Sequence, residues 1–183
     1  MKNTISMISE TLEQTTISFN PEWFQSGYYV YVLTIKHKDK RTFYYVGQTG
    51  DRKHNSARSP FYRLMAHFSP YTSTDNQLVK GIIGNSLIVT TLEKSVRVCL
   101  EEAFCKRVIT VKSDYFRIEK FDQAEHSIRR KHVEAIEQIL IDHFIKENKT
   151  VFNTPGNPNS KKVERNEEAY RIAQKIIGQL KEQ

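Results

Sequence analysis

Two tyrosine-rich segments near the start of the chain constrain its fold more than any other feature. Residues 28–35 and 42–47 are dense in aromatic and β-branched side chains, and the short polar segment 37–41 separates them. Such side chains favour strands, and a short polar connection between two strands is typical of a hairpin. The pattern therefore predicts an antiparallel β-hairpin. Gly47 closes the second segment, and a polar loop is predicted from there to Arg58.

Helical signals follow the predicted hairpin. Ser59 and Pro60 have the residue types of a helix cap and a first helical position, and the helix that they predict carries Arg63 and His67 four residues apart on one face. Apolar residues at helical spacing predict a long core helix over 123–148. A second amphipathic helix is predicted near the C-terminus.

The middle of the chain is less regular. Residues 86–112 fit both helical and strand spacing, and we favour a helix there. Alternation from Tyr115 to Lys120 predicts a third strand. The expected fold is α+β, with a small, mostly antiparallel three-stranded sheet flanked by helices. We expect one domain over 1–183, with an N-terminal arm (1–26), an insertion that includes the third strand (69–125) and a C-terminal helix (162–183).

Charge and composition restrict the class of protein. The net charge of +7 favours a polyanionic partner, and residues 36–68 carry most of it, with eight Lys and Arg against two Asp, a net of +6. A solvated basic face would show the same excess. Only Cys99 and Cys105 are present, too few for a disulfide framework or a Cys-rich zinc site, so we expect a reducing, cytoplasmic setting. No apolar run approaches the length of a membrane span, and no signal-peptide pattern is visible.

Five short motifs occur in an order that resembles the GIY-YIG nuclease family. They are Tyr29-Val30-Tyr31, Tyr45-Val46-Gly47, Arg63 with His67, Glu137 to Ile141, and Val151-Phe152-Asn153. Together they cover about 60 residues, in 28–68 and 134–153. The sequence departs from the family where Tyr29 replaces the first glycine, where fifteen residues (48–62) separate Gly47 from Arg63, and where 69–125 is inserted.

The resemblance implies a catalytic role for six residues. Tyr31 and Tyr45 would face the scissile phosphate, with Tyr31 as general base or water-positioning group, although a free tyrosine is a poor base. Arg63 would grip the phosphate with its planar guanidinium. His67 would assist base chemistry or contact phosphate; a purely structural histidine is the open alternative. Glu137 would bind a single Mg²⁺ (or Mn²⁺) with waters and phosphate oxygens, and the motif matches there and not at Glu134. Asn153 would brace the site through backbone hydrogen bonds.

The expected function is a divalent-metal-dependent endonuclease that hydrolyses double-stranded DNA, in layout closest to the stand-alone restriction enzymes of the family. Arg52, Lys53 and Arg58 in the polar loop are candidate contacts to the nucleic-acid backbone. A structure-specific or repair nuclease is the first alternative, and a binding module that lost cleavage is the second. Palindromic cutting would favour a homodimer, and the C-terminal helix would either serve that dimer or complete the core.

Overall fold

The computed structural model describes residues 18–68, 76–153 and 164–182. A short 3-10 helix, Pro21–Phe24, precedes the sheet. In chain order the remaining elements are β1 (Gly27–His37), β2 (Thr42–Gln48), α1 (Pro60–Phe68), α2 (Gln77–Gly84), α3 (Val96–Cys105), β3 (Ile109–Lys120), α4 (His126–Lys146), β4 (Thr150–Val151) and α5 (Glu167–Lys181). The α+β prediction is therefore confirmed. No helix in the described part of the chain is long and apolar enough to cross a membrane.

The sheet has four strands in the order β3-β1-β2-β4. β1 pairs antiparallel with β2 and β3, which confirms the predicted hairpin, whereas β4 pairs parallel with β2. The expected three-stranded, mostly antiparallel sheet was therefore wrong in strand number. β4 escaped detection because its two residues are too short for any alternation pattern.

β3 and α3 correct the prediction for the middle of the chain. The helix expected over 86–112 extends only over Val96–Cys105, and Arg107 adopts a positive φ of 51° just after it. β3 then begins at Ile109, well before Tyr115, and pairs with β1 along the whole of β1. Cross-strand pairing thus extends the strand beyond the segment in which local alternation is clear.

β1 separates two apolar clusters because both of its faces are covered. Tyr28, Val30 and Val32 face a cluster built with α4 and α5. Tyr31 and Leu33 face a second cluster built with α2 and α3. The long α4 confirms the predicted core helix, and the apolar side of α5 packs into the first cluster, so the C-terminal helix completes the core. The first part of the predicted N-terminal arm, 1–17, lies outside the described residues.

Candidate active site

The hydroxyl of Tyr31 forms the centre of the candidate site. It lies 2.6 Å from Nε2 of His67 and accepts a hydrogen bond from Nε of Arg63 at 3.0 Å. Burial and the charge of Arg63 lower the pKa of His67 to about 4, so its ring is neutral near pH 7. In the tautomer that is protonated at Nδ1, Nε2 accepts the proton of Tyr31. Burial also raises the pKa of Tyr31, which keeps the phenol protonated in the free protein.

Gly47 makes room for Tyr31 across the β1–β2 ladder. The two residues are directly paired, and a Cβ added at Gly47 would overlap the hydroxyl and ring of Tyr31. Gly47 does not end the strand as predicted, because β2 continues to Gln48. The glycine of the Tyr45-Val46-Gly47 motif is thus required by the tyrosine of the neighbouring strand.

Tyr45 reaches the same side of the sheet from β2. Its ring centre lies 6.3 Å from that of Tyr31, and it meets the His67 ring edge-on at 5.1 Å. Burial, reinforced by the neighbouring Tyr31, raises its pKa well above the usual value, so Tyr45 is a neutral hydroxyl at physiological pH. The structure therefore brings the predicted Tyr31, Tyr45, Arg63 and His67 together in one cluster.

Arg63 is positioned by the helix predicted from Ser59 and Pro60. α1 begins at Pro60, and the backbone N–H of Arg63 donates to the carbonyl of Ser59 at 3.1 Å. The Nε–H of Arg63 donates to the hydroxyl of Tyr31. No carboxylate among the described residues lies within ion-pair distance of the Arg63 guanidinium. Because a guanidinium has five N–H donors, Arg63 retains donors for an anionic ligand.

Glu134 and Glu137, one turn apart on α4, have different environments. Glu134 Oε1 accepts from Arg52 Nε at 2.7 Å and lies 2.6 Å from Arg130 Nη1. Within the described residues Glu137 forms no hydrogen bond or ion pair, and burial raises its pKa to about 7 against the opposing charge of Arg63. A partly buried carboxylate without a cationic partner is the group that a bound cation would stabilise.

The residues present fit only a sparse metal site. No group of three or more His, Cys, Asp or Glu side chains that could hold a metal ion occurs in 18–68, 76–153 or 164–182. Mg²⁺ commonly binds through one or two carboxylates and keeps several waters. Glu137, with its unpaired carboxylate, is the residue that fits such an ion, or Mn²⁺ in its place.

Asn153 extends the pairing of β4 with β2 through its side chain. Its Oδ1 accepts from the backbone N–H of Val46 at 2.8 Å, and its Nδ2 donates to the carbonyl of Val46 at 2.7 Å. Asn153 is buried, and both of its hydrogen bonds satisfy backbone groups between Tyr45 and Gly47. Its position is that of a brace for β2.

The basic loop after β2 is tied to the rest of the domain. Gly50 and Ala57 form an isolated bridge that closes it. His126 Nε2 donates to the carbonyl of Asp51 at 2.9 Å, because a carbonyl can only accept, and Nδ1 of the same ring faces the hydroxyl of Tyr28. The charges of Arg52 and Arg58 are directed to protein carboxylates, since Arg52 pairs with Glu134 and Arg58 lies 3.4 Å from Asp51. Lys53 is exposed.

Tyr115 is a member of the cluster that the sequence did not reveal. It pairs with Tyr31 across the β1–β3 ladder, and the two rings stack with centres 4.9 Å apart. The alternation around Tyr115 predicted a strand, but nothing local to that strand indicates which other strand lies beside it. The only available signal was the aromatic residue type at this position.

Comparison with known proteins adds no relative: no protein-family model matches the chain, and no curated protein or solved structure shows significant similarity to it.

Proposed function

We propose that this protein is a divalent-metal-dependent endonuclease that hydrolyses phosphodiester bonds in double-stranded DNA, as its motifs and their resemblance to GIY-YIG nucleases suggest. The observation that carries the proposal is the convergence of three unlike groups. Among the described residues Arg63 has unused donors and Glu137 has an unpaired carboxylate, and Tyr31 has a hydroxyl held between a cation and a neutral histidine. A purely structural cluster does not need an unpaired, partly buried carboxylate within the electrostatic reach of an arginine.

The proposed role of Arg63 is to bind the scissile phosphate. Its planar fork holds two phosphoryl oxygens at once and stabilises the charge that develops on them. Tyr31 is fully buried whereas Arg63 is partly exposed, so an incoming phosphate meets Arg63 first. Since the Nε of Arg63 already contacts Tyr31, its shift toward a phosphate would also open the hydroxyl of Tyr31 to the attacking water.

Tyr31 and His67 supply the proposed path for the proton of that water. The oxygen of Tyr31 takes a proton from the water while its own proton passes to Nε2 of His67, 2.6 Å away. The hydroxide oxygen forms the new bond to phosphorus, and the bond to the leaving oxygen breaks. The leaving oxygen takes a proton from solvent, and His67 returns its extra proton to solvent. This route leaves Tyr31 neutral before and after the step, which suits a phenol whose pKa is raised by burial.

Glu137 is the proposed ligand of the metal, and Asn153 the proposed brace that holds β2 in place. When bound, the ion would neutralise negative charge on the phosphate and its leaving oxygen. Tyr45 would orient His67 by its edge-on contact. A sequence-specific restriction enzyme acting as one domain is the form that we favour, since the motif layout is closest to the stand-alone members of the family.

Incubation with supercoiled plasmid and Mg²⁺, followed by gel electrophoresis, tests the proposal. We expect discrete fragments from the wild type, and a loss of at least about 100-fold in rate in Glu137→Gln, on the scale of losing a charge-stabilising group. DNA binding should survive, because a negative charge near phosphate is removed. Nicked circles or a smear would instead indicate the structure-specific nuclease.

Glu134→Gln is the matched control on the same helix. It should keep cleavage and lower stability, because Arg52 and Arg130 lose their shared carboxylate. No cleavage by the wild type with any DNA form, or full cleavage by Glu137→Gln, would contradict the proposal.

A further inference from the structure

A cavity of about 450 Å³ lies at the β3 edge of the sheet, directly beside the candidate active site. Aromatic rings and a few charged or polar groups line it, and the lining residues used below are Glu22, Trp23, Tyr29, Tyr115 and Arg117. This volume falls within the usual range for small-molecule sites, and its lining is more polar than the mostly apolar walls common there. The cavity is therefore of a size and composition suited to a planar, polar ligand.

The cavity and the active site share a wall. Tyr29 pairs with Arg117 and Tyr31 with Tyr115 across the β1–β3 ladder, so these four side chains lie in two neighbouring rows. The ring of Tyr115 stacks on Tyr31 on one side and lies 6.1 Å from the ring of Trp23 on the other. A ligand in the cavity would thus sit one side chain away from the Tyr31 hydroxyl.

The polar groups of the cavity have unused hydrogen-bonding capacity. Among the described residues the hydroxyl of Tyr115 is buried without a hydrogen-bond partner, and the carboxylate of Glu22, an exposed residue, takes part in no hydrogen bond or ion pair. An unpaired buried polar group such as the Tyr115 hydroxyl is rare in folded proteins and calls for a functional explanation. The guanidinium of Arg117 lies 5.9 Å from the ring centre of Tyr29, and it adds positive charge at the rim.

A larger cavity elsewhere does not have this character. It measures about 740 Å³ and lies at the N-terminal half of α4. Its lining includes one buried atom without a partner, His132 Nε2, but among the described residues no Phe, Tyr or Trp ring on which a base could stack. Its central charged groups are also matched, because Arg129 lies within 3.5 Å of three carboxylates and Glu134 pairs with two arginines. We therefore argue from the smaller cavity alone.

We propose that the cavity beside Tyr115 takes an unstacked nucleobase from the nucleotide next to the scissile phosphate. This inference rests on the proposed nuclease function and adds the manner in which the substrate is held. Trp23 supplies a face on which a base can stack, and Glu22 accepts hydrogen bonds from base amino groups. Arg117 at the rim meets the adjoining phosphate, and the ring of Tyr115 forms the wall between the base and Tyr31.

The single tryptophan of the chain allows a direct test, because Trp23 is the only source of tryptophan fluorescence. The probe is a short single-stranded DNA oligonucleotide, titrated in EDTA so that no metal-dependent cleavage occurs. Binding is followed in parallel by the anisotropy of a label on the DNA. We expect saturable quenching of Trp23 at the concentrations at which anisotropy rises.

An oligonucleotide of abasic sugar-phosphate units is the matched control for charge. It has the same phosphates and no bases, so it should change anisotropy without quenching Trp23. Trp23→Leu should weaken binding of the normal strand by about tenfold, on the scale of one base–aromatic stack, whereas Trp23→Phe should retain most of the affinity. Glu22→Gln changes a base contact without removing a ring and should weaken binding by less.

Two results would overturn the inference. One is binding of the normal strand without quenching, and the other is equal quenching by the abasic strand. The fate of the nuclease proposal is read separately from plasmid cleavage in Mg²⁺. Cleavage without quenching defeats the base pocket alone, and base-dependent quenching without cleavage of any DNA supports the pocket while defeating the nuclease.

Discussion

Two buried tyrosine–histidine pairs lie on opposite faces of β1, and their surroundings differ. On the α4 side, Tyr28 lies 2.9 Å from Nδ1 of His126 and also donates toward a backbone carbonyl. On the α1 side, Tyr31 lies 2.6 Å from Nε2 of His67. Both tyrosines are fully buried, so neither residue type nor burial separates the two pairs.

The difference between the pairs is whether the charges around them are matched in ion pairs. The far ring nitrogen of His126 donates to a carbonyl of the basic loop, so the Tyr28 pair is a tether whose polar atoms are satisfied by backbone. The Tyr31 pair lies against the guanidinium of Arg63 and within the electrostatic reach of Glu137. Charged groups act on both tyrosines, but Arg129, Asp122 and Glu119 near Tyr28 are joined in ion pairs, whereas Arg63 and Glu137 near Tyr31 form no ion pair among the described residues. Unmatched charges are costly to bury, so the Tyr31 pair is the better candidate for a chemical task.

Exchanging each tyrosine for phenylalanine is the strongest test of this comparison. Tyr31→Phe keeps the ring that stacks on Tyr115 and removes the proposed proton carrier, so cleavage should fall about 10² to 10⁴-fold. Tyr28→Phe removes an equally buried hydroxyl and should lower the free energy of unfolding by about 1–2 kcal/mol while leaving the cleavage rate close to that of the wild type. Plasmid cleavage and urea unfolding measure the two effects.

The reverse pattern would refute the assignment. If Tyr28→Phe abolished cleavage as fully as Tyr31→Phe, the loss would reflect damage to the sheet and not the removal of a proton carrier at Tyr31. If Tyr31→Phe retained full activity, water activation would pass to another group of the cluster.

Acid stability provides a second, smaller test. The pKa of His67 in the folded protein is about 4, against about 6.5 for an unperturbed histidine, because of burial and the charge of Arg63; the other titratable groups that face it are Tyr31 and Tyr45. Below pH 6.5 the unfolded chain therefore binds a proton that the folded protein refuses. This loss of stability is absent above pH 6.5, grows as pH falls toward 4, and reaches about 3 kcal/mol.

His67→Gln removes that titration and serves as the comparison. The difference in unfolding free energy between wild type and His67→Gln, measured by denaturant titration from pH 7.5 to 4, should change in favour of the variant as pH falls. A difference that stays constant over this range would show that His67 accepts a proton in the folded protein as readily as in the unfolded chain.

The hairpin and the long helices were predictable because their signals are local. Alternating and helical spacing can be recognised within one segment, as in 28–47 and along α4. The position of β4 and the proximity of Tyr115 to Tyr31 depend on which distant strands pair, and no single segment encodes that.

Side-chain partners were beyond the sequence for the same reason. Arg52 was assigned to the nucleic-acid backbone from charge alone, whereas the structure pairs it with Glu134, 82 positions away in the chain. Its predicted contact with DNA stays a prediction. The candidate residues were chosen from the order of the motifs in the sequence. The distances between their side chains came only from the structure.

The smallest expected effect concerns the basic loop after β2, which contacts His126 of the Tyr28 pair and, through Arg52, reaches Glu134 one turn from Glu137. Lys53 is exposed, whereas Arg52 balances Glu134 one turn from Glu137. Lys53→Gln should remove about 0.9 from the slope of log K against log salt if Lys53 contacts one phosphate, with stability and the preferred cutting site unchanged. Arg52→Gln should also lower stability, because the buried carboxylate of Glu134 loses one of its two partners. DNA-binding titrations at several salt concentrations measure the slope, and an altered cutting site in Lys53→Gln would show that the loop contacts base edges.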